Sequence, residues 1–228
     1  MMISIVIPVY NNERQLVELN NRIDKALEDM PYELVLIDDA STDDSLNLIK
    51  SLKEKNDAIQ IIINENNIGQ QLTTLTGIKS AIGSSIVVLD ADLQDDPDLI
   101  PSLVSYLLND STAAFIRRKG IYQSMSRMFT STIIKMIIYM ISGLHYKAGA
   151  YYAFPVKHRQ DVIRLAEKCR YPYMTILVAR SVDKLVYLEA KRHKRMGSSS
   201  YSFIKRIRAA ARALHCAIQS RRIKLEAD

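Results

Sequence analysis

Four short runs of aliphatic and β-branched residues punctuate the first ninety positions: Ile3–Pro8, Tyr32–Ile37, Ile59–Ile63 and Ser85–Leu89. Between them lie stretches with the 3.6-residue period of amphipathic helices. Glu13–Met30 places Leu16, Leu19, Ile23 and Leu27 on one face, and Ser45–Lys55 and Gln70–Ile82 follow the second and third runs. Strands of this composition alternating with helices predict a parallel α/β sheet buried between helical layers. A short helix is expected from Pro97 through Leu108. Beyond residue 110 the pattern loosens. Ala113–Ile116, Ala148–Phe154 and Leu185–Leu188 read as short strands, Ser124–Ser142 as a Met- and Ile-rich helical stretch, Gly197–Ser200 as a loop and Phe203–Leu225 as a basic helix. No repeat or Pro/Gly linker marks a boundary. The expected division is an α/β domain over residues 1–200 and a basic amphipathic helix over 201–228.

Charge divides the chain more sharply than structure does. Residues 1–110 carry a net −12 and residues 111–228 a net +18, within a total of +6 over 228 residues. An acidic half suits a metal cation, and a basic half suits phosphates, anionic lipid or nucleic acid. At 48% hydrophobic and 25% charged the composition is that of a globular protein. Cys169 and Cys216 form neither a metal-ligand spacing nor a disulfide framework, so a reducing compartment is expected. The longest apolar stretch, Ile133–Ile141, is interrupted by Lys135 and falls well short of the ~20 residues of a spanning helix. The N-terminus has neither the basic start nor the cleavage site of a signal peptide.

In an open parallel sheet, ligands bind beyond the carboxyl ends of the strands. Here those ends are polar: Tyr10-Asn11-Asn12-Glu13, Asp38-Asp39-Ala40-Ser41, Asn64-Glu65-Asn66-Asn67 and Asp90-Ala91-Asp92-Leu93-Gln94. Helix capping accounts for any one of them. Four on one rim indicate a site. Asp90 and Asp92, two residues apart as the chain leaves a buried strand, can share one hard divalent cation, Mg²⁺ or Mn²⁺, with Gln94 as a neutral third oxygen. Asp95, Asp96 and Asp98 continue the acidic run and also fit a capping loop. No GxGxxG or GxxxxGK[ST] loop occurs, which argues against a Rossmann dehydrogenase and a P-loop nucleotidase. The four histidines read as mostly surface residues. A bound diphosphate would instead be neutralised by metal and by Arg or Lys.

PVYNNE, IDDASTDDS, NNIGQ, LDADLQDDPDLIP and RMGSSSYSFIKRI together resemble the inverting family 2 glycosyltransferases, whose GT-A fold is a Rossmann-like, mostly parallel sheet flanked by helices. Within that family the sequence looks most like dolichyl- or polyprenyl-phosphate sugar synthases and bacterial surface-polysaccharide transferases. The resemblance spans residue 3 to about 208 and is most specific through residue 101. It implies a nucleoside diphosphate sugar donor bordered by Pro8, Tyr10 and Glu13, with Asp39 at the base. Asp90, Asp92 and Gln94 match the metal and diphosphate motif. Arg117 and Arg127 match residues that face phosphates, and Arg195, Ser199 and Tyr201 match a late loop that closes over donor and acceptor. In catalysis the resemblance casts Asp92, Arg117, Arg127 and Arg195 as the groups that stabilise the departing diphosphate.

The pattern departs from that branch at Lys147-Ala148-Gly149-Ala150-Tyr151-Tyr152, where an acidic motif ending in Asp-Phe-Arg is usual. Without those acids the chain fits a phosphate acceptor, which needs no general base, or else an unusual base or a weakened enzyme. The implied acceptor is lipid-linked, a polyprenyl phosphate or a lipid-linked glycan. The branch's C-terminal membrane helices have no counterpart here, as expected of a soluble relative or of a chain cut before them. Eleven Lys and Arg between Lys191 and Lys224 read either as a solvated helix face or as a membrane-surface helix. On the second reading the protein would be cytoplasmic and peripheral at the inner, anionic face of the membrane. A nucleic-acid-binding module is the rival from a different class, distinguishable by a salt-sensitive gel shift; no nucleic-acid motif occurs, and none is expected as a partner. A sugar-nucleotide nucleotidyltransferase would show a Gly-rich N-terminal loop. The sequence leaves room for an oligomer.

Overall fold

The structure, a computed structural model, describes residues 2–108, 111–119, 136–191 and 203–225. The first half runs β1 (Ile3–Val9), α1 (Glu13–Ala26), β2 (Tyr32–Asp38), α2 (Ser45–Lys53), β3 (Ile59–Ile63), α3 (Gln70–Ser80) and β4 (Ser85–Val88). A 3₁₀ turn at Pro97–Leu99 then opens α4 (Ile100–Ser105), followed by β5 (Thr112–Lys119), helical residues 136–142 (α5) and β6 (Ala148–Pro155). The chain continues through α6 (Arg159–Lys168), α7 (Met174–Ser181), β7 (Lys184–Lys191) and α8 (Phe203–Arg222). All seven expected strands are present. The helix expected over Glu13–Met30 stops at Ala26, because the Leu27 N–H closes the last turn on Ile23 O and the chain then tightens, Met30 N–H reaching Leu27 O.

The strands form one sheet in the order β3-β2-β1-β4-β6-β5-β7. Strands β1 to β4 are parallel, β6 runs against both β4 and β5, and β7 is parallel to β5. Reversal of β6 has one consequence for the site. Its first residue, Ala148, lies opposite Arg117 near the end of β5. The carboxyl ends of β1–β5 and β7 and the amino end of β6 therefore share one rim.

Side chains alternate between the two faces of the sheet, as the two-residue period of a strand requires. Val6, Val35, Val88, Phe115 and Tyr152 pack on one face against α3, α6, α7 and α8. Ile5, Ile7, Leu36, Val87 and Tyr151 pack on the other against α1 and α4. Helix α3 approaches very closely: a Cβ on Gly77 would sit 2.4 Å from Val6 Cγ1 and 2.6 Å from Ile37 Cδ1. Two helices escape a sequence reading. In α7 only Arg180 is not buried, so no apolar stripe distinguishes it from a strand. α6 is short, and no side chain caps its start at His158.

Helix α8 packs through small residues, with Ala213, Cys216, Ala217 and Ser220 buried. It is clasped to the α6–α7 turn by Gln219, which donates to Lys168 O (2.8 Å) and accepts from Arg170 N–H (3.0 Å). Beside that clasp Cys169 and Cys216, both buried free thiols, hydrogen-bond to each other. Among the described residues no helix is long and apolar enough to cross a membrane.

Candidate active site

Each of the first four strand ends turns away through one residue with left-handed backbone: Asn11 (φ 54°), Ala40 (φ 57°), Gly69 (φ 86°) and Leu93 (φ 55°). For the non-glycine residues such a conformation costs roughly 1–3 kcal/mol and persists only where the surroundings enforce it. Here the first two turns are laced together. Asn11 N–H donates to Ser41 Oγ (3.1 Å), and Asn11 Oδ1 accepts from Thr42 N–H (2.8 Å). Asn12 N–H donates to Ser45 Oγ (2.9 Å) and Glu13 N–H to Asp43 Oδ2 (3.2 Å), while Glu13 Oε2 accepts from Asp44 N–H (3.1 Å). Glu13 thus ties the start of α1 to the start of α2. Partial burial pushes the Asp43 carboxyl up, but hydrogen bonds from Ser45 and Glu13 outweigh it and leave its pKa below the ordinary range. Pro8 is half-buried in β1, and the Tyr10 side chain stands 47% exposed at the rim.

The two aspartates after β2 are both buried, and both hold backbone. Asp38 Oδ2 accepts from Ser41 N–H (3.1 Å), while its Oδ1 has no partner among the described residues. Asp39 is more heavily used. Its Oδ1 accepts from the Asn64 amide and from Ile68 N–H, both at 2.9 Å, and its Oδ2 accepts from Gly69 N–H at 2.9 Å. The side chain that the family pattern places at a nucleobase is here also the brace of the β3–α3 loop. That loop leads directly into Gln70, whose Nε2 donates to Asp90 Oδ1 at 2.5 Å. Gln70, which residue patterning alone did not single out beyond its motif, links the third rim to the fourth.

After β4, Leu89 N–H still pairs with Val6 O (3.2 Å), and the chain then breaks from the sheet at Asp90. Ala91 is buried, whereas Asp90, Asp92 and Gln94 are half-buried. Asp92 Oδ1 accepts from Gln94 N–H (3.1 Å). The acids downstream behave differently. Asp96 caps the 3₁₀ turn by accepting from Asp98 N–H (3.0 Å) and pairs with Arg22 of α1, and its carbonyl accepts from Tyr151 Oη. The capping interpretation therefore suits Asp96 and leaves Asp90 and Asp92 at the rim. Among the described residues no three His, Cys, Asp or Glu side chains converge. Two carboxylates and an amide fit a cation that completes its shell with water and phosphate oxygens, the habit of Mg²⁺.

The basic side of the rim is built from β5, β6 and β7. Arg117 lies opposite Glu189 on the neighbouring strand and pairs with it, the two side chains being 35% and 43% exposed; such an exposed pair adds ~1 kcal/mol at most. A ring cluster that patterning missed stands next to it. The His145 ring stacks on that of Tyr146 (4.6 Å between centroids), the His145 backbone N–H donates to Tyr187 Oη (3.0 Å), and the Lys147 backbone N–H donates to His145 Nδ1 (3.1 Å). Burial, then the charges of Arg117 and Lys147, hold the His145 pKa below its ordinary value. Arg127, Arg195, Ser199 and Tyr201, together with the Gly197–Ser200 loop, lie outside the described residues.

The rim gathers Tyr10, Glu13, Asp39, Asp90, Asp92, Gln94 and Arg117 around one end of a mostly parallel sheet, and known proteins resemble this chain in sequence and fold. The chain is 32% identical over 221 residues to an undecaprenyl-phosphate 4-deoxy-4-formamido-L-arabinose transferase of Proteus mirabilis, covering 94% of this chain and 67% of the relative. A transferase of the same name from Pectobacterium atrosepticum is 31% identical over 94% of the chain. Among solved structures, S. aureus TarS 1–349 in complex with UDP-GlcNAc superposes with a TM-score of 0.65 at 20% identity, covering 98% of this chain and 68% of TarS 1–349. Glucosyl-3-phosphoglycerate synthase of Mycobacterium tuberculosis, in complex with Mn²⁺, UDP and phosphoglyceric acid, gives a TM-score of 0.65 at 18% identity over 96% of this chain and 78% of its own. The fold is accordingly that of the GT-A glycosyltransferases. The family described as "Glycosyl transferase family 2" matches residues 4–185, and with the fold and the relatives in agreement this chain belongs to it.

Proposed function

We propose that this protein transfers a sugar, with inversion, from a uridine diphosphate sugar to a polyprenyl phosphate. The observation that carries the reading is the pair Asp90 and Asp92 at the exit of β4, beside a rim braced by Asp39 and Glu13. The neighbours in complex with UDP, one also with Mn²⁺, support the donor class, and the relatives named for undecaprenyl phosphate support the acceptor. Asp90, Asp92 and Gln94 would hold a divalent cation, which when bound supplies Lewis-acid neutralisation of the departing diphosphate. Tyr10 would border the nucleoside. Asp39 retains one lone pair on Oδ2 for a base N–H beyond the three donors it already serves.

The reaction joins an oxygen of the acceptor phosphate to the anomeric carbon as the bond from that carbon to the diphosphate breaks, its electron pair leaving with the nucleotide. An acceptor phosphate is already an anion and needs no proton removed. The amino end of β6 agrees with this. Lys147 and Ala150 stand where an acidic motif is usual, and Lys147 together with Arg117 places positive charge at the rim. Arg127 and Arg195 are proposed to add to the same electrostatic stabilisation. Peripheral attachment at the inner membrane face through α8 would keep the site near an acceptor that cannot leave the lipid. The test is a product assay. Undecaprenyl phosphate and a panel of UDP-, GDP- and dTDP-sugars are incubated with the protein and Mn²⁺, and the lipid fraction is analysed by mass spectrometry. A glycosyl-phosphoryl lipid from a UDP-sugar is expected. Transfer to a soluble sugar hydroxyl and not to the lipid would refute the acceptor assignment.

A further inference from the structure

Away from the rim, α8 and the α6–α7 turn border an open groove of about 540 Å³ lined by Tyr171, Arg208, Ala211, Arg212 and His215. The Tyr171 ring is its centre. The Arg212 guanidinium lies 5.2 Å from the ring centroid and that of Arg170 5.3 Å, with His215 edge-on at 5.6 Å. Arg208 follows one helical turn before Arg212 on the same face. A second hollow of about 250 Å³, reached past His215, adds Ile218, Gln219 and Arg222.

We propose that this groove binds the phosphate-bearing headgroup of an anionic phospholipid. Among the described residues no carboxylate pairs with Arg170, Arg208 or Arg212, and of the two acids on the adjoining α6, Glu167 pairs with Lys79 at 2.8 Å and Asp161 with Arg164 at 3.9 Å. Residues 203–225 contain seven Lys or Arg and no Asp or Glu. Among the described residues these cations thus have no acidic partner, and the Tyr171 ring holds two of them, Arg170 and Arg212, beside the groove, as an anion held from several sides requires. The flanks identify a lipid rather than a free anion. Ile207 (51% exposed) and Ile218 (42% exposed) stand on the same outward face of α8 as Arg208, Arg212 and His215. The face that packs on the protein is a different one, made of small residues. A headgroup between the arginines would set its acyl chains beside the exposed isoleucines.

The inference rests on reading α8 as a membrane-surface helix, and the experiment separates the two. Binding of the full chain to phosphatidylglycerol/phosphatidylcholine vesicles and to phosphatidylcholine vesicles is measured by flotation, with thermal melts to verify folding. Tyr171→Ala leaves the net charge unchanged yet removes the ring that orients the guanidinium groups. It is expected to weaken binding to the anionic vesicles about five- to ten-fold, whereas Tyr171→Phe keeps binding near wild type. The pair Arg208→Gln/Arg212→Gln is expected to lose more than Arg221→Gln/Lys224→Gln, which removes equal charge from exposed positions outside both hollows. Soluble dihexanoyl phosphatidylglycerol should raise the melting temperature of wild type and not of Tyr171→Ala. Equal losses from the two charge pairs, or wild-type binding by Tyr171→Ala, would overturn the groove and leave a diffusely attracted helix. Stabilisation by inorganic phosphate as large as that by the lipid would also overturn it, making this a free-anion site. If the wild type binds neither vesicle, the membrane reading itself fails, with sugar transfer untouched.

Discussion

Replacing Asp39 by alanine tests together the loop brace that this carboxylate forms and the nucleobase contact proposed for it. In the absence of ligand it accepts three hydrogen bonds at 2.9 Å, from the Asn64 amide, Ile68 N–H and Gly69 N–H, and is only 3% exposed. A hydrogen bond to a charged group contributes about 1.5–3 kcal/mol, and stranding a buried donor costs about 1–3 kcal/mol. The three donors share one acceptor and the loop can relax towards water, so the contributions do not add. A net loss of about 3–4 kcal/mol is expected, which for a chain of this size lowers the melting temperature by roughly 6–16 °C. Asp39→Asn should fall between, since it keeps an oxygen for Asn64 and Ile68 but turns an NH₂ against Gly69 N–H. The assay is a thermal melt followed by circular dichroism without nucleotide, paired with calorimetric titration of UDP. Both stability and nucleotide affinity should drop, because Gly69 leads into Gln70 and so into Asp90. A variant that melts with the wild type and loses only nucleotide affinity would refute the brace and leave a base contact alone.

Other expectations follow from single contacts. Gly77→Ala would ordinarily favour a helix, but the added methyl meets fully buried Val6 and Ile37 at 2.4 and 2.6 Å; a loss of about 1–3 kcal/mol is expected, read as a lower urea midpoint with an unchanged slope. His145, whose pKa is depressed in the folded state, binds protons more readily when unfolded. Its contribution is complete above the ordinary histidine value near 6.5 and is lost as pH falls through the folded value. An imidazole titration by NMR should show a midpoint below that of a free histidine, and an elevated midpoint would refute the cluster's electrostatics. Asp43 follows the same sign at lower pH, its contribution being lost as pH drops below the ordinary carboxylate range.

Much of this architecture is visible in the residue pattern, because buried strands admit few residue types and the chain must turn where they end. Ile3–Val9 and its parallel partners announce themselves as apolar runs, and even the weaker Ala148–Pro155 is legible through Tyr151, Tyr152 and Phe154. α7 is not, since Met174–Ser181 is buried almost all round and shows no helical stripe. Polar residues at the rim were equally legible, but their partners were not. Nothing local to Asp39 says that Ile68 and Gly69 will donate to it across nearly thirty residues, and nothing in Glu13 foretells Asp44 N–H. His145 looked like a surface residue because its neighbours Arg117 and Tyr187 arrive only through strand pairing. The existence of α8 is legible in its residues, while its inward contacts through Ala213, Cys216 and Ala217 depend on where α7 lies.

The proposed cation and nucleotide site at the exit of β4 is tested most directly at Asp92. Calorimetric titration of UDP into wild type and Asp92→Ala, each with Mn²⁺ and with EDTA, reports affinity and metal dependence together. Asp92 is half-buried at a strand exit, outside the apolar core, and its Oδ1 accepts from Gln94 N–H at 3.1 Å; thermal melts of both proteins verify that the variant folds. Wild type is predicted to bind UDP strongly only with Mn²⁺, and Asp92→Ala to lose that metal-dependent binding. Equal affinity in the two proteins, or wild-type binding undiminished by EDTA, would contradict the assignment of Asp90 and Asp92 to a cation on the diphosphate.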